Sequence, residues 1–95
     1  MEEFNHPDFA GRLKAGSEAA YRELVEGFLP WAKNFIKKKY GLPEEDARGI
    51  TQDFFQRIIE RIDQYDAAEG RFLAWSFQIL RNLAVDWLRR YKKLE

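Results

Sequence analysis

The sequence predicts an all-α protein, a compact bundle of about four helices, from three observations. Apolar residues recur every three or four positions along almost the whole chain, which is the period of a helix with one buried face. No run of residues alternates apolar and polar side chains as a half-buried strand does. Residues typical of helix ends separate the periodic segments. We therefore expect a single domain over residues 1–95 with a helical core at about residues 9–93.

The first two helices should be separated by a glycine and a serine. A short helix is expected over residues 7–15 and should stop at Gly16, after which Ser17 has the hydroxyl of an N-cap residue. The second helix should end in a lysine-rich turn before Gly41, a typical C-terminal pattern. Pro30 lies inside this helix and should interrupt and kink it. The stripe expected to be buried comprises Tyr21, Leu24, Val25, Phe28, Ala32, Phe35 and Ile36.

Two long helices are expected to follow. The third opens at residues 42–46, with a proline near its first position and acids in its first turn, and should run to about Tyr65. After a short loop at 66–70, the last helix should cover about residues 71–93. The third helix should bury Ala47, Ile50, Phe54, Phe55, Ile58, Ile59, Ile62 and Tyr65. The last helix should bury Phe72, Leu73, Phe77, Ile79, Leu80, Leu83, Ala84, Trp87, Leu88 and Tyr91.

The formal net charge of zero conceals a segregation of charge along the chain. Residues 33–42 contain four lysines and no acid, and residues 71–95 contain six basic residues and two acids. The remaining blocks, 1–32 and 43–70, are acidic. Such asymmetry predicts two different partner surfaces, although adjacent helices that neutralise each other would show the same pattern.

One stripe of the last helix combines an aromatic ring with amides and charges. It comprises Trp75, Gln78, Asn82, Asp86, Arg89 and Lys93. Single-stranded nucleic acid suits this combination, because bases stack on aromatic rings, amides reach base edges and cations meet phosphates. The structural alternative is that Trp75 packs under the preceding loop, residues 63–70, and that the cations complement the helix dipole.

The chain offers little for catalysis, so we do not expect an enzyme. There is no cysteine, His6 is the only histidine, and the only hydroxyl residues besides tyrosine are Ser17, Thr51 and Ser76. A metal would have to use the carboxylates of Glu44, Glu45 and Asp46, which are better explained as acids at a helix N-terminus. No Gly-rich phosphate loop occurs, and we expect no cofactor or metal.

Three stretches in this order are similar to a known family. They are "AGSEAAYRELVEGF" (15–28), "ITQDFFQRIIERIDQYD" (50–66) and "FLAWSFQILRNLAVDWLRR" (72–90). Together they closely resemble region 2 of bacterial RNA polymerase sigma factors of the extracytoplasmic-function (ECF) group. The resemblance covers about residues 9–93 and implies a sigma region 2 fold without catalytic activity. The sequence itself contains no cysteine, no stretch like a secretory signal and no membrane-spanning run, from which we expect a cytoplasmic protein.

The resemblance implies a polymerase partner for the third helix. In the family, the helix that carries a Gln-acid-x-Phe motif docks on the clamp helices of the polymerase β′ subunit. The motif corresponds here to Gln52, Asp53 and the two phenylalanines that follow. Because those phenylalanines belong to the predicted buried face, the expected polymerase-binding residues are Gln52, Asp53, Gln56 and Glu60. An anti-sigma factor is a further partner that the family implies.

The resemblance also implies that the last helix, with the loop before it, opens promoter DNA and captures the non-template strand of the minus-ten element. Asn82 and Trp75 match the family's asparagine and tryptophan at that surface. The expected DNA-binding residues are Trp75, Gln78, Arg81, Asn82, Arg89, Arg90, Lys92 and Lys93.

The chain departs from the family pattern at several positions. Gly49 stands where an acid is usual. Gln78 stands where arginine is frequent and Trp87 where a basic residue is frequent, so contact with duplex phosphates is expected to be weaker or shifted towards Arg81, Arg89, Arg90, Lys92 and Lys93. Nothing in the chain corresponds to region 4, the second helical domain of these factors. An excised region 2 domain is favoured over a natural absence, since Leu94 and Glu95 after two lysines are typical of a cloning remnant.

Two rival functions remain open at this point. One is a helical protein-interaction or dimerisation module that uses the same faces without binding polymerase. The other is a fragment of a nucleic-acid enzyme, against which the lack of nucleophiles and metal ligands argues.

Overall fold

The computed structural model of the protein describes residues 1–91, and these residues form four α-helices. In chain order the helices are α1 (Pro7–Lys14), α2 (Glu18–Tyr40), α3 (Glu44–Arg61) and α4 (Phe72–Tyr91). Two short 3₁₀ segments, Glu2–Asn5 and Ile62–Gln64, precede α1 and follow α3. No strand occurs in the described range, so the predicted all-α class is confirmed. Lys92 and Lys93, both predicted to bind DNA, lie outside the described residues.

Local sequence explains the turn between α1 and α2. The backbone N–H of Ser17 donates to the carbonyl of Arg12 and that of Gly16 to the carbonyl of Leu13, which is the bond pair of a Schellman C-cap. Gly16 has a φ of +81°, a conformation that residues with a side chain rarely adopt. The Ser17 hydroxyl then accepts the N–H of Ala20 at 3.1 Å. The predicted stop of the first helix and the predicted N-cap of the second are therefore confirmed.

α2 is assigned as one continuous helix although Pro30 lies inside it. Proline has no backbone N–H, so the carbonyl of Glu26 lacks its usual partner one turn later. The predicted interruption thus removes one hydrogen bond without ending the helix. The helix ends as predicted at Gly41, whose φ of +66° is left-handed. Pro43 then occupies the N-cap position of α3, directly before the predicted acidic first turn.

α3 is the central helix and packs against both α2 and α4. The ring of Phe28 from α2 lies 5.1 Å from that of Phe54, centroid to centroid, and both side chains are fully buried. The buried Thr51 hydroxyl donates to the carbonyl of Ala47 at 2.7 Å, so α3 carries its one buried polar side chain without an unpaired donor. The buried apolar face thereby fixes which side of α3 is left to solvent.

The N-terminal segment is part of the core, although the core was expected to begin only at about residue 9. Phe4 is buried, with its ring 4.8 Å from Phe9. A Cβ at Gly27 would come within 2.7 Å of the Phe4 ring, so glycine is what allows this close approach. Asn5 reaches the start of α4, where its Oδ1 accepts the N–H of Leu73 at 2.9 Å. The segment therefore caps the last helix from the opposite end of the chain.

Several positions differ from their predicted burial. Tyr21 and Ile59 were expected in the core but are 37% and 42% exposed, and Tyr91 at the end of α4 is 62% exposed. Tyr21 and Ile59 lie at the margins of their apolar faces, where α2 and α3 leave a groove between them. Conversely, Ser76 is fully buried. Its hydroxyl donates to the carbonyl of Leu73 at 3.1 Å, so the burial leaves no donor unpaired. The α3 helix also ends at Arg61, four residues before the predicted end, and continues as the 3₁₀ turn.

Candidate functional site

The outer face of α3 presents the predicted polymerase-binding residues to solvent. Gln52, Asp53, Gln56 and Glu60 are all exposed. The amide of Gln56 donates to Glu60 at 3.2 Å, and Arg57 Nε lies 3.6 Å from the other carboxylate oxygen of Glu60. Both contacts are one helical turn apart on the surface, where such pairs contribute a few tenths of a kcal/mol. The face is therefore accessible and only loosely constrained by its own contacts.

A groove of about 1280 Å³ runs between this face and α2. Gln52, Gln56 and Glu60 line it, whereas Asp53 is not among its lining residues. The exposed apolar side chains Tyr21 and Ile59 lie in the same groove. The cations Arg22, Lys33 and Arg48 also line the groove, so a protein partner that enters it would meet amides, charges of both signs and two exposed apolar side chains. Sequence periodicity missed Tyr21 and Ile59 as surface residues because it assigned both to the buried stripe.

Trp75 is half-buried at the start of α4. Its ring lies 5.3 Å from that of Tyr65 and 5.8 Å from that of Phe72. Tyr65 is itself held in place, since its hydroxyl donates to the carbonyl of Gly70 at 2.8 Å and its own carbonyl accepts from Lys14 at 2.7 Å. Burial also raises the pKa of the Tyr65 hydroxyl. The predicted alternative, in which Trp75 packs against the preceding loop, is thus realised, although part of the ring remains accessible.

The amides predicted to read bases lie next to each other on α4. Gln78 and Asn82 are exposed, and the Gln78 amide lies 3.4 Å from Asn82 Oδ1, one turn away. At that distance the hydrogen bond is weak, so both side chains are available to another partner. The structure brings the two amides together on the same helix as Trp75.

The predicted phosphate-binding arginines of α4 are all exposed. Arg81 and Arg90 form no ion pair within residues 1–91, and Arg89 lies 3.8 Å from Asp86. A contact of that length at the surface contributes little. These three arginines of α4 are therefore accessible to an anionic partner.

The acidic start of α3 has a structural role. Glu44 accepts hydrogen bonds from Lys33 at 2.7 Å and from Lys37 at 2.8 Å, which lowers the pKa of its carboxyl to about 2. These contacts tie α2 to α3. Among residues 1–91, no group of three side chains is placed to hold a metal ion.

Comparison with known proteins identifies the family. Residues 24–94 match the family model described as sigma-70 region 2. The chain belongs to this family. It is also 31% identical over 78 residues to the ECF RNA polymerase sigma factor RpoE of Cereibacter sphaeroides, an alignment that covers 82% of this chain. The resemblance to ECF sigma factors that the sequence suggested is therefore confirmed.

The alignment with this chain covers 42% of the length of that curated relative. No solved structure matches the chain. In the described part of the domain, none of the helices combines the length and the apolar character needed to cross a membrane.

Proposed function

We propose that this domain attaches to RNA polymerase through α3 and engages the minus-ten element of promoter DNA through α4. The observation that carries the proposal is the presence of two separate polar faces on the central and last helices of a sigma region 2 domain. The face of α3 is rich in acids and amides, and that of α4 in amides and arginines. Two partners of different chemistry can therefore bind at the same time.

The polymerase partner is the pair of clamp helices of the β′ subunit. Gln52, Gln56 and Glu60 would contact them from the wall of the groove, and Asp53 from its outer side. Tyr21 and Ile59 support a protein partner, because exposed apolar side chains next to polar groups are typical of the centre of an interface. An anti-sigma factor that covered either face would block the corresponding step.

The DNA partner is the non-template strand of the minus-ten element. Asn82 and Gln78 would hydrogen-bond base edges, the accessible part of Trp75 would stack on an unpaired base, and the arginines would hold phosphates. The cations expected at the phosphates are Arg81, Arg89, Arg90, Lys92 and Lys93. Unstacking a duplex costs a few kcal/mol per base step, so tight binding should require the assembled polymerase. In this role the domain acts in the cytoplasm and performs no covalent chemistry.

Binding to a purified β′ clamp-helix fragment tests the attachment step. We expect micromolar or tighter binding that Asp53→Lys abolishes, since the change places a cation in an acidic face. Glu26→Lys is the matched control, because it makes the same change of charge at an exposed site on α2 outside the groove. If a folded sample did not bind, polymerase attachment would be wrong, and a dimer in light scattering would favour the interaction-module alternative.

Minus-ten strand binding by the assembled complex tests the DNA step. Asn82→Ala should weaken it by about 1–3 kcal/mol, the range for a good base contact. Trp75→Ala should weaken it further, but thermal unfolding must be followed in parallel because Trp75 packs on Tyr65. Unchanged strand binding by both variants would exclude α4 as the DNA-binding surface.

A further inference from the structure

The C-terminal half of α2 carries an aromatic and basic surface that the proposed function does not use. Trp31, Asn34, Phe35, Lys38 and Lys39 line a groove of about 530 Å³. Their spacing places them along one side of the helix. The surface is separate from the groove between α2 and α3, with which it shares no lining residue. We refer to these five residues as the Trp31 surface.

The indole of Trp31 is both held in position and accessible. It lies nearly parallel to the ring of Phe35, with 5.3 Å between centroids and an interplanar angle of 6°. Phe28 approaches it edge-on at 5.3 Å, and Phe77 of α4 lies 5.5 Å away. Nevertheless 37% of Trp31 is exposed. Three aromatic neighbours therefore orient a ring whose remaining surface faces solvent, so a ligand would not have to order it.

The lysines of this helix fall into two pairs with different surroundings. Lys33 and Lys37 are neutralised by Glu44. Lys38 and Lys39 are exposed and form no ion pair within residues 1–91. No acid lines the Trp31 surface, and residues 33–42 contain none. Two uncompensated cations thus lie beside an exposed aromatic ring and the exposed amide of Asn34.

We propose that the Trp31 surface binds a single strand of nucleic acid. One base stacks on the accessible part of Trp31, the Asn34 amide reaches the edge of that base, and Lys38 and Lys39 bind phosphates. An intact duplex does not fit this surface, because its bases are not free to stack on the ring. The site shares no residue with the proposed polymerase-binding face or with the proposed minus-ten residues on α4.

Two other occupants fit the surface less well. An acidic peptide would be attracted by the lysines but would gain nothing specific from a flat indole next to an amide. A purely structural role, in which Trp31 only fills the contact between α2 and α4, could be performed by any apolar residue at position 31. Such a role would not explain why two lysines and an asparagine, and no acid, lie on the same side of the helix.

Binding of a fluorescein-labelled dT12 oligonucleotide to the full chain, followed by fluorescence polarisation, tests the site. A homopolymer contains no minus-ten sequence, so base-specific contacts on α4 do not contribute. Each variant is compared with the parent chain, in which the stacking and phosphate contacts of α4 are the same. Trp31→Leu should weaken binding by roughly 5- to 150-fold, the range for loss of one stacked base. Trp31→Phe should restore most of the affinity, since it keeps an aromatic face. Thermal unfolding of each variant separates a loss of the site from a loss of the fold.

Salt dependence tests the role of the lysines. The double variant Lys38→Gln/Lys39→Gln should reduce the slope of log affinity against log salt by about 1.4, since each phosphate contact on a single strand contributes about 0.7. Lys33→Gln/Lys37→Gln is the matched control, because it removes the same charge from the same helix but from lysines already paired with Glu44. We expect its slope to remain close to that of the parent protein.

Three results would overturn the proposal. They are unchanged dT12 affinity in Trp31→Leu, equal effects of the two double-lysine variants, and equally tight binding of a matched duplex or of a twelve-residue polyglutamate. Failure of clamp-helix binding, which involves α3, would leave the result of this assay unaffected.

Discussion

Trp31 and Trp75 pack in two different environments, one between two helices and one between a loop and a helix. Trp75 rests on Tyr65 and Phe72, where the loop after α3 enters α4. Trp31 packs against Phe35 of α2 and Phe77 of α4, where these two helices are in contact. Hydrogen bonds to backbone atoms of Tyr65, Gly70 and Leu73 hold the surroundings of Trp75, whereas within residues 1–91 the contacts of the Trp31 ring are packing against other aromatic rings. Trp31 is therefore more exposed than Trp75, although it is Trp75 that lies in the polar stripe of α4.

The largest expected effect is on the free energy of unfolding, and it distinguishes the aromatic neighbour of Trp75 from that of Trp31. Phe72 is fully buried beneath Trp75, so Phe72→Ala should destabilise the domain by about 3–5 kcal/mol, the usual cost of emptying a buried aromatic position. Phe77→Ala beside Trp31 should cost less, because Phe77 is only half-buried. Urea unfolding of both variants measures the difference. Equal losses would show that the two tryptophans are supported to the same degree.

The next effect concerns the cap that the N-terminal segment provides for α4. Asn5→Ala removes the acceptor for the N–H of Leu73 and should cost about 1 kcal/mol, as for loss of other helix N-caps. Asn34→Ala on the Trp31 surface is the control, because the Asn34 side chain is exposed and forms no hydrogen bond within residues 1–91. We expect thermal unfolding to respond to Asn5→Ala alone. A response to neither variant would argue that solvent replaces the cap at no cost.

A smaller effect is expected for the loop beneath Trp75. Tyr65→Phe deletes the hydroxyl that bonds to the carbonyl of Gly70 and should cost about 0.5–1.5 kcal/mol. Amide hydrogen exchange should increase at residues 66–71 but not near Trp31, since the change loosens only the loop. Tyr21→Phe is the matched control at an exposed tyrosine. Exchange that rose equally near both tryptophans would indicate global rather than local loosening.

The smallest effect depends on pH and lies next to the Trp31 surface. Because the pKa of Glu44 is lowered to about 2 by Lys33 and Lys37, its contribution to stability is present above the unfolded-state pKa and is lost as the pH falls from about 4.3 towards 2. Glu44→Gln should therefore lower Tm slightly at pH 7, and the difference should vanish near pH 2. Glu45→Gln removes an exposed carboxylate from the same helix end and is the control variant. A constant difference at all pH values would contradict the ion-pair explanation.

The helices and the family could be predicted well from the sequence because their signals are local. Ser17, Gly16 and Gly41 specify helix ends through bonds within one turn, so no knowledge of distant contacts was needed. The three stretches that resemble ECF sigma factors likewise depend on residue order alone, and the match of residues 24–94 to the family model confirms them. The assignment of Gln52, Asp53, Trp75 and Asn82 to particular partners stays a prediction.

Burial at the margins of the helices could not be predicted in the same way. A helical wheel assigns Tyr21 and Ile59 to the core because it measures only the angle of a side chain from the apolar centre. Whether such a residue is covered depends on how closely the next helix approaches, and α2 and α3 diverge enough there to leave a groove. The same reasoning explains why the polar stripe of α4 left two environments open for Trp75, of which the structure realises packing against Tyr65.

The sequence by itself determined the four helices, the turn between α1 and α2, the end of α2 at Gly41 and the segregation of charge, since each follows from interactions within one or two turns. Only the tertiary structure decided that Phe4 and Asn5 dock onto distant helices, that Glu44 neutralises one pair of lysines and leaves the other accessible, and that Trp31 is oriented for a ligand. The physical reason is that these features depend on contacts between residues far apart in the chain. Their free energy comes from packing and from pairing of charges across helices, which no local pattern encodes.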